Sequence, residues 1–429
     1  MSKMTEIPNR DMKRIDRNKY LNELISLRNN GMIKVITGMR RCGKSFLLFE
    51  LFTSYLKESG VDSDHIIVVD LEDYKNKALR NPDNLYSYVE SRIVDEGLYY
   101  ILLDEVQMLE EFVDVLNGFL KMRNTDVYVT GSNAKFLSKD IATEFRGRGF
   151  EIKMYPLSFK EYMSAYSGSV TTAFNEYMLY GGLPQILMYE TEQQKVKYLT
   201  SLFEETYIKD IKERYRVKKD GDLEELINIL ASGIGALSNP NKLANTFKSE
   251  KKSNISYDTI KDYIEYLCDS FLVEKVTRYD IKGRKYVNSP FKYYFMDLGL
   301  RNARLNFRQY EKSHLMENVI YNELRIRGFN VDVGVVPVVL KNEDSKQQRA
   351  NLEVDFVCNL GNQRYYIQSA YRMETKEKIQ QERASLLKVD DSFKKIVIIG
   401  EETPFIRDEN GIITMSIYDF LLKDNSLEL

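Results

Sequence analysis

Residues 38 to 45 read Gly38-Met39-Arg40-Arg41-Cys42-Gly43-Lys44-Ser45, a complete G-x4-G-K-S loop. The apolar, strand-like run Ile33-Lys34-Val35-Ile36-Thr37 leads into it, and the helical pattern Phe46-Leu47-Leu48-Phe49-Glu50-Leu51 leaves it. No other feature constrains the chain as much, because such a loop works only between a strand and a helix start. Its glycines let the backbone curl so that successive N–H groups face phosphate oxygens, and the helix N-terminus adds partial positive charge. Lys44 is then placed for the β and γ phosphates and Ser45 for Mg²⁺. Gly38, Arg40, Arg41, Cys42, Gly43, Lys44, Ser45 and Phe46 are the candidate nucleotide contacts, with ATP and Mg²⁺ the expected ligands.

Tyr99-Tyr100-Ile101-Leu102-Leu103-Asp104-Glu105 is an apolar run ending in two acids, as a buried central strand with carboxylates at its C-terminal edge would read. Asp104 is the candidate Mg²⁺ holder through water, and Glu105 the candidate to orient or deprotonate the attacking water. Two further runs, His65–Asp70 and Asp126–Thr130, alternate with helical patterns, and Phe150–Tyr155 closes the series. Such alternation predicts a parallel sheet wrapped by helices, in a RecA/AAA+-like order with one strand between the loop strand and the acidic strand. Thr130-Gly131-Ser132-Asn133 leaves the fourth strand, which makes Asn133 a candidate for the γ phosphate or the lytic water. Arg148, in Arg146-Gly147-Arg148-Gly149, is a candidate arginine finger or an in-cis charge clamp.

At 429 residues the chain has room for two to four domains. Its 62 Lys and Arg nearly balance its 64 Asp and Glu, so no global field drives it onto DNA or an anionic membrane. Three dispersed cysteines, Cys42, Cys268 and Cys358, fit a reducing cytoplasm and form no zinc motif. Two histidines, His65 and His314, exclude a His-rich metal centre. The charged start lacks a signal-peptide core, and no apolar stretch approaches the roughly 20 residues that span a bilayer. A cytoplasmic protein without a membrane partner is expected.

Beyond an ATPase core at 1–156, a helical lid or linker is expected over 157–220, with Tyr180-Gly181-Gly182-Leu183-Pro184 capping the nucleotide. Its charge-dense stretch 192–216 reads mostly as a solvated face. Residues 221–300 read as a winged-helix region: a helix triplet, the third N-capped by Ser256, then a hairpin with the basic tip Lys282-Gly283-Arg284-Lys285. The tip suits DNA phosphates, whereas Asp262, Glu265 and Asp269 on the third helix oppose groove entry, so DNA and protein partners both stand open. In 301–429, Glu353-Val354-Asp355 on one strand and Gln368 on the next outline a PD-(D/E)xK skeleton. Gln368 stands where the glutamate belongs and Ala370 where the lysine belongs, which speaks against DNA cleavage. Glu317 and Glu323 offer further acids, and Arg372 and Lys376 the nearest cations.

The loop 38–45, Leu103-Asp104-Glu105-Val106-Gln107, Thr130-Gly131-Ser132-Asn133, Gly147-Arg148 and Pro156-Leu157-Ser158-Phe159 form one spaced set. With Asp297-Leu298-Gly299-Leu300-Arg301-Asn302, Glu317-Asn318 and Glu353-Val354-Asp355-Phe356-Val357, they run nearly end to end. Together they resemble the prokaryotic AAA-type ATPases fused to a C-terminal, nuclease-like domain of unknown function. The resemblance implies an α/β fold: an ATP-binding P-loop core, a winged-helix middle and a restriction-endonuclease-like tail. The expected role is an ATP-hydrolysing switch or remodeller acting on a partner such as DNA. A homo-oligomer would let Arg148 serve a neighbour. The alternative is a regulatory or scaffold ATP sensor of protein partners.

Overall fold

Five of the strand-like runs form one parallel sheet: β1 (Ile33–Gly38), β2 (Ile66–Asp70), β3 (Tyr99–Asp104), β4 (Thr125–Gly131) and β5 (Gly149–Met154). Their order is β2-β3-β4-β1-β5, with every pair parallel. The computed structural model describes residues 14–132, 145, 147–251, 255–341 and 347–429. All residues of β1 and β3 are buried, because helices cover both sheet faces. Alternate side chains therefore divide between two cores. Ile36, Leu102, Tyr128 and Ile152 pack with Leu47, Leu51 and Phe52 of the segment after the loop. Val35, Ile101, Leu103 and Val127 pack with Leu85 and Val89 on the helix Pro82–Arg92, and with Leu116 and Phe119 on the helix Phe112–Phe119. The C-terminal edges of β1, β3 and β4 lie side by side, where ligands bind in sheets of this kind.

Residues 157–220 hold a series of helices from Phe159–Ala165 to Lys209–Tyr215, and the triplet Asp220–Ser232, Pro240–Lys251 and Tyr257–Asp269 follows. Ser256 caps the third helix by accepting the Thr259 N–H. The next hairpin, β6 (Val273–Asp280) and β7 (Lys285–Phe295), is no free-standing wing. It joins β8 (Asn330–Lys341), β9 (Gln347–Leu360), β10 (Gln363–Ala370), β11 (Lys394–Ile399), β12 (Ile406–Arg407) and β13 (Ile412–Ser416) in one sheet, ordered β12-β13-β11-β10-β9-β8-β6-β7. The domain boundary expected near residue 300 thus falls inside a unit whose sheet draws strands from both sides of it. Hydrophobic patterning locates strands well, but it does not say which sheet a hairpin joins. β6 meets β8 only at Arg278–Asp280, and the register slips beside Val276 and beside Asp332. Such bulges bend strands.

Contacts at Glu274 and Asp297 are among those that tie the ATPase sheet and the helical stretch 157–220 to the part of the chain that bears the second sheet. Lys153 at the end of β5 pairs with Glu274 of β6, and Arg325 and Tyr321 of the helix Lys312–Ile326 bond the same carboxylate. Burial would raise the Glu274 carboxyl, but Lys153 and Arg325 outweigh it and hold it down to about 2. The buried Asp297 carboxylate caps the helix Leu298–Arg304 at the Leu300 N–H and also accepts the Gly182 N–H at 2.8 Å. Gly181 is obligatory beside it, since its φ is +76° and a Cβ there would lie 2.3 Å from Asp297 Oδ1.

Candidate active site

The phosphate loop is built on close backbone approach. Gly38 has φ +145°, and a Cβ there would stand 2.2 Å from the Met154 carbonyl oxygen. The neighbouring strand β5 therefore shapes the loop. Arg17, buried ahead of the helix Asn18–Ser26, donates to the Cys42 carbonyl at 2.9 Å, the Tyr155 carbonyl at 2.7 Å and the Glu161 carboxylate at 3.0 Å. It fastens the loop from behind, where the Cys42 side chain is buried. Lys44 is buried, and its ammonium donates to the carbonyls of Gly38 (3.1 Å) and Met39 (3.2 Å). Arg41 and Phe46 are exposed at the loop's surface.

Across the sheet edge, Ser45 Oγ donates to Asp104 Oδ2 at 2.7 Å, while the Thr130 hydroxyl donates to Asp104 Oδ1 at 2.5 Å. The Glu105 N–H in turn donates to Thr130 Oγ1 at 3.0 Å. Glu105 has φ +51°, which turns the chain just after β3. Its carboxylate accepts from Ser132 Oγ at 3.0 Å and from Gln107 Nε2. Burial, with Glu105 adding to it, raises the Asp104 carboxyl above its ordinary range. A hydroxyl and a buried carboxylate at the end of the loop are the oxygen donors Mg²⁺ takes in such sites, so the residues present fit the ion.

The structure thus brings together Gly38, Lys44, Ser45, Asp104 and Glu105. Asn133 lies outside the described residues; Thr130, on β4, bridges Asp104 and the Glu105 N–H. Arg148 is exposed ahead of β5, its carbonyl accepting the Ile33 N–H at 2.8 Å. Since Ile33 pairs with Gly149 and Gly38 with Met154, Arg148 stands at the opposite end of the sheet from its own loop. The in-cis clamp is therefore corrected: about five residues of strand separate it from that loop, roughly 17 Å.

The contacts between the loop and the helical stretch 157–220 carry no sequence signal of their own. Arg40 pairs with Asp210 at 2.9 Å, and the buried Tyr207 donates to the Arg40 carbonyl at 2.9 Å. Both partners lie in the stretch read as solvated. Pro184 approaches the other side of the loop, 4.0 Å from where a Gly43 Cβ would be. Arg17 and Tyr207 are equally silent in sequence, because their partners on the loop are backbone carbonyls. Among the described residues no helix is long and apolar enough to cross a membrane.

Residues 30–163 match the model of an AAA domain, and residues 171–311 that of a domain of unknown function (DUF8612). An uncharacterized protein of Haemophilus influenzae is 34% identical over 418 residues, covering 95% of this chain and 99% of that one. The uncharacterized protein MJ1544 of Methanocaldococcus jannaschii is 29% identical over 391 residues, covering 86% and 82%. Among solved structures, the Walker-type ATPase PABY2304 of Pyrococcus abyssi superposes with a TM-score of 0.48 at 15% identity, over 69% of this chain and 97% of that one. The chain therefore belongs to the family of the Haemophilus influenzae protein, and its N-terminal part is an AAA-type P-loop ATPase domain.

Proposed function

We propose that the chain binds and hydrolyses ATP with Mg²⁺ and uses the cycle to switch or remodel a partner, DNA being the leading candidate. The line Ser45–Asp104–Thr130–Glu105 across the edges of β1, β3 and β4 is the observation that carries this reading. Lys44 exchanges its two loop carbonyls for the β and γ phosphate oxygens. Glu105 takes a proton from the attacking water, while Ser132 and Gln107 hold its carboxylate in orientation. Ser45 and Asp104 would hold Mg²⁺, which neutralises charge developing on the phosphates. Because Arg40 is paired with Asp210, phosphate arriving at the loop competes for that guanidinium and reaches the lid helix Lys209–Tyr215.

The exposed tip Lys282, Arg284 and Lys285 supports DNA contact through phosphates, which is salt-dependent. In the nuclease-like reading of the tail, Gln368 and Ala370 replace the groups that cleavage needs, so the tail binds and does not cut. A second reading, an ATP sensor of protein partners, is favoured by Asp262 and Glu265, exposed on the helix that would have to enter a groove. ATP turnover measured with and without duplex DNA at low and moderate salt separates the two. Stimulation that fades with salt supports the DNA reading; indifference to DNA at every salt concentration supports the protein-partner reading.

A further inference from the structure

The resemblance of the tail to PD-(D/E)xK nucleases implies Mg²⁺ at Asp355, and the side chains around Asp355 do not fit that ion. Lys292, on β7, is buried with its ammonium 2.8 Å from Glu317 Oε1 and 2.7 Å from Glu353 Oε1, and 3.9 Å from Asp355 Oδ1. The Tyr294 hydroxyl donates to the same Glu317 oxygen. Asp355 Oδ2 is occupied by the Ser369 N–H at 2.8 Å. The Gln368 carbonyl oxygen, a neutral oxygen that could ligate a metal, accepts instead from the Asp355 N–H and from Ser385 Oγ, both at 3.4 Å. Arg372 and Lys376 are exposed, and Arg372 pairs with Glu374 and Glu401, away from the cluster. Among the described residues no group of three or more His, Cys, Asp or Glu is arranged to hold a metal ion.

We propose that Lys292 is the resident cation of this site: its ammonium takes the place of a divalent metal among Glu317, Glu353 and Asp355. Burial alone would pull the lysine down, but Glu317, Asp355 and Glu353 outweigh it and keep it charged. The ammonium lies closest to Glu353 and Glu317, so its strongest pairing is with those two carboxylates. A cation of this kind is covalently part of the hairpin after the helix triplet. It therefore fastens β7 to β9 and to the helix Lys312–Ile326, making the hairpin and the tail one metal-independent unit. The consequence for function is that whatever the tail recognises, it does so without a metal at Asp355, and a chelator leaves that recognition intact.

The test uses the full chain without nucleotide, so it is independent of the ATPase reading. Mn²⁺ is titrated calorimetrically into wild type and Asp355→Asn, and thermal unfolding is followed in chelator and in millimolar Mg²⁺ or Mn²⁺. Wild type is expected to show no binding or melting shift that Asp355→Asn removes. Lys292→Ala leaves buried carboxylates without their cation, which is destabilising. It should melt lower in chelator, regain several degrees in metal by mass action, and lose that gain in Lys292→Ala/Asp355→Asn. Lys292→Arg should stay metal-indifferent. Saturable Mn²⁺ binding by wild type that Asp355→Asn abolishes would overturn the inference, as would a Lys292→Ala stability that metal leaves unchanged. Should Lys292→Ala not fold, the wild-type and Asp355→Asn titrations decide alone.

Discussion

Alanine at Arg148 is expected to lower ATP turnover by about 10³- to 10⁵-fold while nucleotide affinity changes little, the signature of an arginine finger. Such a residue acts on charge that develops only in the transition state, so its loss spares ground-state binding. The placement of Arg148 decides where it acts. It is exposed at the start of β5, at the sheet end remote from its own phosphate loop, so the proposed finger would have to reach the loop of a neighbouring copy. Mixing Arg148→Ala with Lys44→Ala subunits should therefore restore turnover, because one supplies the intact loop and the other the arginine. A drop in affinity alone, or unchanged turnover, would assign Arg148 to structure, and a failure of the mixture to recover activity would remove the intersubunit role.

Glu105→Gln is expected to retain ATP and hydrolyse it about 10²- to 10⁴-fold more slowly. The substitution preserves shape next to Gln107 and Ser132 and leaves Ser45, Lys44 and Asp104 untouched. It removes the carboxylate at the sheet edge that is free of the Ser45 and Thr130 hydroxyls. Nucleotide should co-purify with the variant, and single-turnover measurements should show a slow chemical step. Turnover at the wild-type rate would transfer the base role elsewhere.

The ATPase core was legible because its signals are local. The runs 33–37, 65–70, 99–105, 126–130 and 150–155 each became a strand of the first sheet, with only small differences at their ends. Lys44, Ser45 and Asp104 could be read because a loop and a strand end fix them within a few positions. Lys292 could not: its partners Glu317, Glu353 and Asp355 are distant in sequence and meet it only through the fold of the second sheet. The first cations after Gln368 in sequence are Arg372, which pairs with Glu374 and Glu401, and the exposed Lys376. Arg17 and Tyr207 were invisible for a different reason, as each bonds a carbonyl of the loop, and a carbonyl has no residue identity.

The most direct test of the nucleotide site is the binding of a fluorescent ATP analogue, with Mg-dependent ATP turnover, in wild type and Lys44→Ala matched for thermal unfolding. The Lys44 ammonium donates to carbonyls of its own loop, so its removal should leave the fold standing. Wild type is expected to bind tightly and to turn over ATP in Mg²⁺ but not in chelator, and Lys44→Ala to lose both binding and turnover. Equal nucleotide affinity in a well-folded Lys44→Ala would contradict the assignment of residues 38–45 as the phosphate-binding loop.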